Sequence, residues 1–247
     1  AAMSSEVENY PGSAKKSGIE LMKKFAEQAK KFGAKIVFDR VEKIKKEKNI
    51  FKIKSSKSNY QAKAIILALG KTPRRLNIPS EGKFARRGVV YCATCDAPLF
   101  KDKIVAVVGG GNSSFDAAIL LTKIAKKVYL IHRRKEFRAE EYRVEKFKRV
   151  KNAKFLLNSE IKELKGDDFL KSAVIINNQT NKKSEIKIKG LFVEIGYEVN
   201  PSLFKNLVEI DELNQIKIRA CGETSTPGVF AAGDVTDVKD KQIVIAA

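Results

Sequence analysis

Between positions 107 and 114 the chain reads Val107-Val108-Gly109-Gly110-Gly111-Asn112-Ser113-Ser114. The run follows an apolar segment, residues 103–108, that is typical of a buried parallel strand. It precedes residues 112–124, whose pattern predicts a helix. A glycine-rich turn between a strand and a helix is the arrangement that binds the phosphates of a dinucleotide, so this context predicts a dinucleotide-binding turn.

Each position of this turn has a physical task. Gly109 permits a tight turn, and Gly111 lets the backbone approach a pyrophosphate. Ser114 takes the third small position, where helix and strand pack closely. A helix that begins at Asn112 and Ser113 offers free N–H groups and a positive dipole end to the phosphates.

The next strand, predicted at 127–132, indicates which dinucleotide is bound. An NAD site usually has a carboxylate there for the ribose 2′-hydroxyl, about 20 residues after the glycines. This chain has His132-Arg133-Arg134 instead, with Arg138 one turn later. Guanidinium groups bind a 2′-phosphate through charge-assisted hydrogen bonds, which favours NADPH over the alternative of a solvated basic turn.

The cysteines predict redox chemistry. Cys92-Ala93-Thr94-Cys95-Asp96 contains a Cys-x-x-Cys pair that can form a small disulfide ring, in a chain without an export signal. A zinc site is not expected, because one pair and a single histidine do not complete four ligands. Asp96 is a candidate for proton transfer during thiol–disulfide exchange, with a turn or capping aspartate as the alternative. Cys221 has no neighbour that suggests a role.

Strands and helices alternate around the glycine turn, which predicts an α/β fold with a parallel sheet. Strands are expected at residues 35–44, 50–55, 60–69, 103–108, 127–132 and 173–176, near Phe155 and Ile161, and at 186–195. Helices are expected at residues 18–32, 112–124 and 139–150.

Bulk composition excludes several classes of protein. The 247 residues carry a net charge of +20, but lysines are scattered beside glutamates and few aromatics interleave with them, so nucleic-acid binding is not expected. No apolar run reaches the ~18 residues that cross a membrane, and no signal peptide opens the chain. A cytoplasmic location is therefore expected.

Several of these motifs, in this order, closely resemble bacterial-type, low-molecular-weight thioredoxin reductases. The resemblance rests on Glu6-Val7-Glu8-Asn9-Tyr10-Pro11-Gly12, Cys92-Ala93-Thr94-Cys95-Asp96, Gly109 to Ser113, His132-Arg133-Arg134-Lys135-Glu136-Phe137-Arg138 and Gly228-Val229-Phe230-Ala231-Ala232-Gly233-Asp234. It implies a two-domain FAD/NAD(P)-binding Rossmann-like fold, in which an FAD domain (1–74 and 197–247) is interrupted by an NADPH domain (75–196).

The resemblance also implies roles for individual residues. Cys92 would attack the disulfide of thioredoxin or a thioredoxin-like protein, Cys95 would face the flavin, and Asp96 would give and take the proton. In the Gly233-Asp234 pair, Asp234 would contact the ribityl chain of FAD, and Gln242 would lie against the flavin. The family is typically homodimeric and rotates one domain against the other between half-reactions.

The sequence also departs from the family pattern. No second glycine turn precedes Glu6, and the chain stops at Ala246-Ala247, so truncation of the FAD domain at both ends is expected. Lys241 stands where an arginine is usual, and Ala97-Pro98 follows Asp96. Two alternatives to the thioredoxin reductase interpretation stay open at this point: a relative that reduces a peroxiredoxin, and a non-catalytic NADPH-binding fragment.

Overall fold

The computed structural model describes residues 7–13 and 15–246. Glu6, in the first motif of the resemblance, and Ala247, at the expected truncated end, lie outside these residues. The chain divides into two compact units. We call Pro73–Gly196 the central unit, and Ala1–Thr72 with Tyr197–Ala247 the split unit.

The described residues form six α-helices, fifteen short strands and several 3₁₀ turns. The helices are α1 Gly18–Lys31, α2 Glu81–Phe84, α3 Ala93–Asp96, α4 Asn112–Thr122, α5 Glu141–Lys148 and α6 Ile243–Ala246. The strands are β1 Val41–Glu47, β2 Ile50–Ser55, β3 Asn59–Ala62, β4 Ile65–Leu67, β5 Thr72–Pro73, β6 Val89–Val90, β7 Ile104–Val108, β8 Lys127–Ile131, β9 Ala153–Leu156, β10 Ser159–Gly166, β11 Leu170–Asn177, β12 Lys183–Lys187, β13 Gly190–Val193, β14 Tyr197–Glu198 and β15 Val229–Ala231.

The central unit is built on a five-stranded parallel sheet in the order β6-β13-β7-β8-β9. Helices α4 and α5 follow β7 and β8, as the βαβ pattern requires. A three-stranded antiparallel sheet, β10-β11-β12, supplies a second layer. Its apolar residues pack with those of β8 and β13 in one core, while α4 packs in another. Because both faces are covered, the strands of the parallel sheet carry continuous apolar runs.

The split unit contains smaller sheets. The strands β1, β2 and β3 form an antiparallel meander, and β4 pairs with β15 in parallel. Helix α1 begins with a capping box, in which Ser17 accepts from the N–H of Glu20 and the Glu20 carboxylate accepts from Ser17. The core of this unit lies around Phe51, Phe204 and Ile216.

Three predicted strands differ from the observed ones. The strand expected at 186–195 is divided into β12, which pairs with β11, and β13, which belongs to the parallel sheet. The strand expected at 35–44 begins only at Val41, and residues 34–40 are irregular, with Phe38 90% exposed. The carboxylate of Asp39 accepts hydrogen bonds from Ser55, Ser56 and its own neighbour, which replaces strand pairing there. The strand expected at 60–69 is divided into β3 and β4, because the two pieces pair with different sheets.

No helix among residues 7–13 and 15–246 has the length and apolar character needed to cross a membrane. Among the same residues, no group of three or more His, Cys, Asp or Glu side chains could hold a metal ion.

Candidate active site

The predicted cysteine pair is present as a disulfide between Cys92 and Cys95, with Cα atoms 5.5 Å apart. Cys92 precedes α3, and its sulfur accepts the N–H of Cys95 at 3.3 Å. The hydroxyl of Thr94 lies 3.3 Å from the same sulfur. Cys221 is an exposed free thiol in the split unit and takes no part in this pair.

Asp96 closes the short helix that carries the pair. Its N–H donates to the carbonyl of Cys92 at 3.2 Å, so the main chain of Asp96 is held in the same helical turn as the cysteines. Burial raises the pKa of Asp96. A carboxyl group that binds its proton more tightly than usual is suited to give a proton to a leaving thiolate.

The glycine turn joins β7 to α4 as the sequence predicts. Gly109 has φ +154°, and a Cβ there would overlap the carbonyl of Glu194 and lie 2.7 Å from the Cβ of Ser114. At Gly111, by contrast, a Cβ would meet nothing within 4 Å, so the backbone is open on that side. No hydrogen bond among the described residues uses the N–H of Asn112 or Ser113. An open backbone with free N–H groups at the start of an eleven-residue helix fits a pyrophosphate.

The basic loop, residues 132–140, is fastened to this turn. The N–H groups of Arg138 and Ala139 both donate to the carbonyl of Gly110, at 2.8 and 3.2 Å. The N–H of Glu140 donates to Oδ1 of Asn112 at 2.9 Å. Phe137 packs its ring against Phe115 of α4, with centroids 4.9 Å apart. The structure therefore brings together the two elements that the sequence predicts for the pyridine nucleotide.

His132 supports the loop from inside. Its ring lies over Gly110, where a Cβ would overlap it, and its Nε2 is 3.0 Å from the carbonyl of Glu136. Burial lowers the pKa of His132, and the charges of Arg133 and Arg134 add to the effect. A neutral imidazole in this position packs against the turn.

The positive charges of the loop's arginines are free to interact with a bound anion. Arg133, Arg134 and Arg138 are exposed, and no ion pair joins them to a carboxylate among the described residues. Arg143, nearby on α5, pairs instead with Asp116 at 2.7 Å and with Glu140. Three unpaired guanidinium groups beside a phosphate-binding turn form a suitable surface for a further phosphate.

The predicted flavin residues lie in the split unit. Gly233, Asp234 and Gln242 line one groove with a volume of about 560 Å³. Asn9 also lines it and donates from its side-chain amide to Oε1 of Gln242 at 3.1 Å. Small residues such as Ala232 leave space beside the carboxylate of Asp234, which can accept hydrogen bonds. A mainly apolar groove that carries a few polar side chains fits a planar ring with a hydroxylated chain.

Sequence reasoning missed two residues at these sites. Asn9 belongs to the motif used for the resemblance, but nothing in that motif assigned it a contact. Glu194 directly follows the buried strand β13, and its carboxylate accepts the N–H of Ala93. Burial raises the pKa of Glu194 to about 7. The only signal in the sequence is a glutamate at the end of the apolar run Leu191-Phe192-Val193.

Comparisons with known proteins show which family the chain belongs to. Residues 1–247 match the family model of the pyridine nucleotide-disulphide oxidoreductases. The chain is 39% identical over 252 residues to the thioredoxin reductase of Helicobacter pylori, with 99% of this chain and 81% of that protein covered. It is 40% identical over 248 residues to the thioredoxin reductase of Peptoclostridium acidaminophilum, with 98% and 79% covered.

A solved structure gives the same result. The crystal structure of Lactococcus lactis thioredoxin reductase in its FR conformation superposes with a TM-score of 0.84 at 33% identity, covering 99% of this chain and 81% of that one. The α/β fold and the family predicted from the sequence are thereby confirmed. This chain belongs to the pyridine nucleotide-disulphide oxidoreductases and, among them, to the thioredoxin reductase family.

Proposed function

We propose that the protein is a thioredoxin-disulfide reductase, which passes reducing equivalents from NADPH through FAD to Cys92–Cys95 and then to a thioredoxin disulfide. The proposal depends above all on one observation: the disulfide and the glycine turn with its basic loop are built into the same compact unit. Relatives that match over nearly the whole chain bear the name thioredoxin reductase.

The choice of NADPH over NADH follows from charge at the end of β8. A carboxylate there would repel a 2′-phosphate, whereas Arg133, Arg134 and Arg138 attract it. The main chain of the loop is tied to Gly110, so the guanidinium groups are held near the phosphate-binding turn. Gly109, Gly111, Asn112, Ser113 and Ser114 form the pyrophosphate side of this site.

The groove of Gly233, Asp234 and Gln242 is the proposed position of FAD. When bound, FAD supplies a two-electron carrier between a hydride donor and a disulfide. The carboxylate of Asp234 would accept a hydrogen bond from a hydroxyl of the ribityl chain. The amide of Gln242, oriented by Asn9, would hold one edge of the flavin.

Disulfide exchange then uses the cysteines and Asp96. In the reduced pair, the Cys92 thiolate attacks one sulfur of thioredoxin and the other thioredoxin sulfur leaves as a thiolate. Cys95 attacks the mixed disulfide, which releases the second thioredoxin sulfur and restores the Cys92–Cys95 bond. Asp96 donates a proton to a leaving thiolate and recovers one from the attacking thiol. Two electrons and the proton of Cys95 thus pass from the enzyme pair to thioredoxin, and water supplies the second proton when both thioredoxin sulfurs end as thiols.

The substrate partner in this proposal is a thioredoxin or a thioredoxin-like protein, and the active form is a homodimer, as the family resemblance implies. Equilibrium sedimentation of the purified protein tests the dimer. A monomer at assay concentrations with full activity would contradict it.

A coupled assay tests the function as a whole. The purified chain, supplemented with FAD, is mixed with oxidised thioredoxin and either NADPH or NADH, and coenzyme oxidation is followed. We expect oxidation that depends on thioredoxin and proceeds much faster with NADPH. Coenzyme oxidation that ignores thioredoxin, or equal rates with the two coenzymes, would contradict the proposal.

A further inference from the structure

Glu194 contacts both the glycine turn and the redox segment of the central unit. It has no role in the reaction proposed for the protein. Its N–H donates to the carbonyl of Val108 at 2.9 Å. Its own carbonyl lies so close to Gly109 that a Cβ on that glycine would overlap it. Its carboxylate accepts the N–H of Ala93, the residue that follows Cys92. One residue therefore contacts both the glycine turn and the redox segment.

The carboxylate of Glu194 has no compensating positive charge. Burial raises its pKa to about 7, and only the N–H of Ala93 acts in the opposite direction. The titratable groups on the adjoining elements include Tyr91, Asp96 and the cysteines on the redox segment, and His132 over the turn. None of these contributes a charge interaction to the Glu194 pKa. The side chain thus changes its charge within the neutral pH range.

We propose that Glu194 is a positioning residue of the redox pair, which holds the segment of Cys92 through Ala93 and controls by its charge how easily the disulfide is reduced. This inference rests on the proposed function, because it takes Cys92–Cys95 to be redox-active.

The charge of Glu194 changes the redox equilibrium of the cysteine pair in a definite direction. Reduction breaks the S–S bond and adds two electrons, and the sulfurs take up two protons, or one when Cys92 stays a thiolate. An ionised Glu194, which contacts the residue after Cys92, repels that thiolate, whereas a neutral side chain does not. Removing the charge therefore favours the thiolate and shifts the equilibrium toward the reduced pair.

The substitution Glu194→Gln separates charge from shape. It keeps the length of the side chain and an oxygen acceptor for the N–H of Ala93. The full chain is equilibrated with mixtures of reduced and oxidised dithiothreitol over a series of pH values, quenched by alkylation, and its free thiols are located by mass spectrometry. Dithiothreitol supplies the electrons and protons, so neither NADPH nor FAD is required.

We expect the variant to favour the reduced pair by up to about tenfold at pH values well above 7, which corresponds to about 30 mV for a two-electron couple. Below pH 6 the wild type and the variant should have the same redox equilibrium. The protonated Glu194 of the wild type and the glutamine of the variant are then both neutral. Glu163→Gln, an exposed glutamate on β10, is the matched control and should follow the wild type throughout.

The outcomes distinguish this inference from the proposed function. A reversible Cys92–Cys95 pair whose equilibrium is the same in Glu194→Gln and the wild type at every pH overturns the inference alone. A shift of constant size at all pH values also overturns it, since a purely structural defect would act in that way. A pair that cannot be reduced and re-formed in the wild type overturns both.

Discussion

The two units build their sites in different ways. In the central unit, main-chain hydrogen bonds join the glycine turn to the basic loop and to the end of β13. In the split unit, the groove is lined by side chains from positions far apart in the chain, such as Asn9, Asp234 and Gln242. A backbone-built site keeps its shape when side chains change, so its side chains can be tested for chemistry alone. A side-chain groove changes its shape with each substitution.

The two units also differ in how completely their strands are buried. The parallel sheet of the central unit has β13 buried along its whole length. In the split unit, Ile66 on β4 is 71% exposed. The following predictions use this difference, because substitutions in the central unit should alter function with little effect on folding.

The largest effect is expected for Cys95→Ser. Without the second sulfur no intramolecular disulfide can form, so thioredoxin-dependent oxidation of NADPH should fall to background. The fold should be retained, since Cys95 is exposed and the sheet does not depend on it. The coupled assay and circular dichroism measure the two properties. Cys221→Ser serves as the control and should stay active; the opposite pattern would assign the chemistry to the split unit.

Asp96→Asn should lower the rate of disulfide reduction by about 10²–10⁴-fold, the usual contribution of a general acid. The amide keeps the size of the side chain but cannot donate a proton to the leaving thiolate. Single-turnover reduction of thioredoxin by the prereduced enzyme isolates this step. Asp168→Asn, in an exposed turn of the same unit, is the control. Equal rates in the two variants would leave Asp96 as a turn residue.

Arg133→Ala combined with Arg134→Ala should weaken NADPH binding by about tenfold or more for each arginine, since hydrogen bonds to charged groups contribute ~1.5–3 kcal/mol. NADH binding should change little, because NADH has no 2′-phosphate. Equilibrium titration with both coenzymes measures the difference. Lys154→Ala, on β9, tests whether any loss of positive charge has the same effect. A parallel loss for both coenzymes would mean that the loop supports the fold only.

Asp234→Asn moves the test to the split unit. A neutral amide replaces a charge-assisted hydrogen bond, so the affinity for FAD should fall by roughly tenfold. Fluorescence titration with FAD measures this, and NADPH binding in the same samples should be unchanged. Asp237→Asn provides a control a few residues away. If Asp234→Asn altered NADPH binding as strongly as FAD binding, the division of the two cofactors between the units would be wrong.

The smallest effect concerns stability and again involves Glu194. Its pKa is about 7 in the folded protein, above its ordinary value of 4.5, so the folded state binds more protons between these values. Stability is therefore lost as pH rises through this window. Glu194→Gln should remove this loss and gain about 1 kcal/mol over the wild type at mildly alkaline pH, a figure reduced for partial solvent exposure. Urea unfolding on both sides of neutrality measures it, and an equal gain at acidic pH would contradict it.

Sequence alone predicts the local parts of this molecule well. The strand, turn and helix at 103–124 carry a period and a glycine pattern that need no distant partner, and they form as expected. The run Ile36-Val37-Phe38 has high strand propensity yet stays exposed, because Asp39 bonds to hydroxyls more than fifteen positions away. Pairing between distant segments leaves no local pattern.

The same limit explains why the sequence did not reveal Glu194. Its importance depends on β13 lying between β6 and β7, which brings position 194 beside Gly109 and Ala93. No spacing of residues in the sequence predicts that order of strands. The cysteines, the glycines and the arginines, by contrast, are recognisable because each chemistry requires those residue types within a few positions of one another.

The proposed function requires that electrons from NADPH arrive at Cys92 and Cys95. Its most direct test is an anaerobic incubation of the chain with FAD and limiting NADPH, followed by alkylation and mass spectrometry. We expect two new thiols for each NADPH oxidised, one at Cys92 and one at Cys95, while Cys221 is alkylated equally before and after. Oxidation of NADPH with the Cys92–Cys95 disulfide still intact would contradict it.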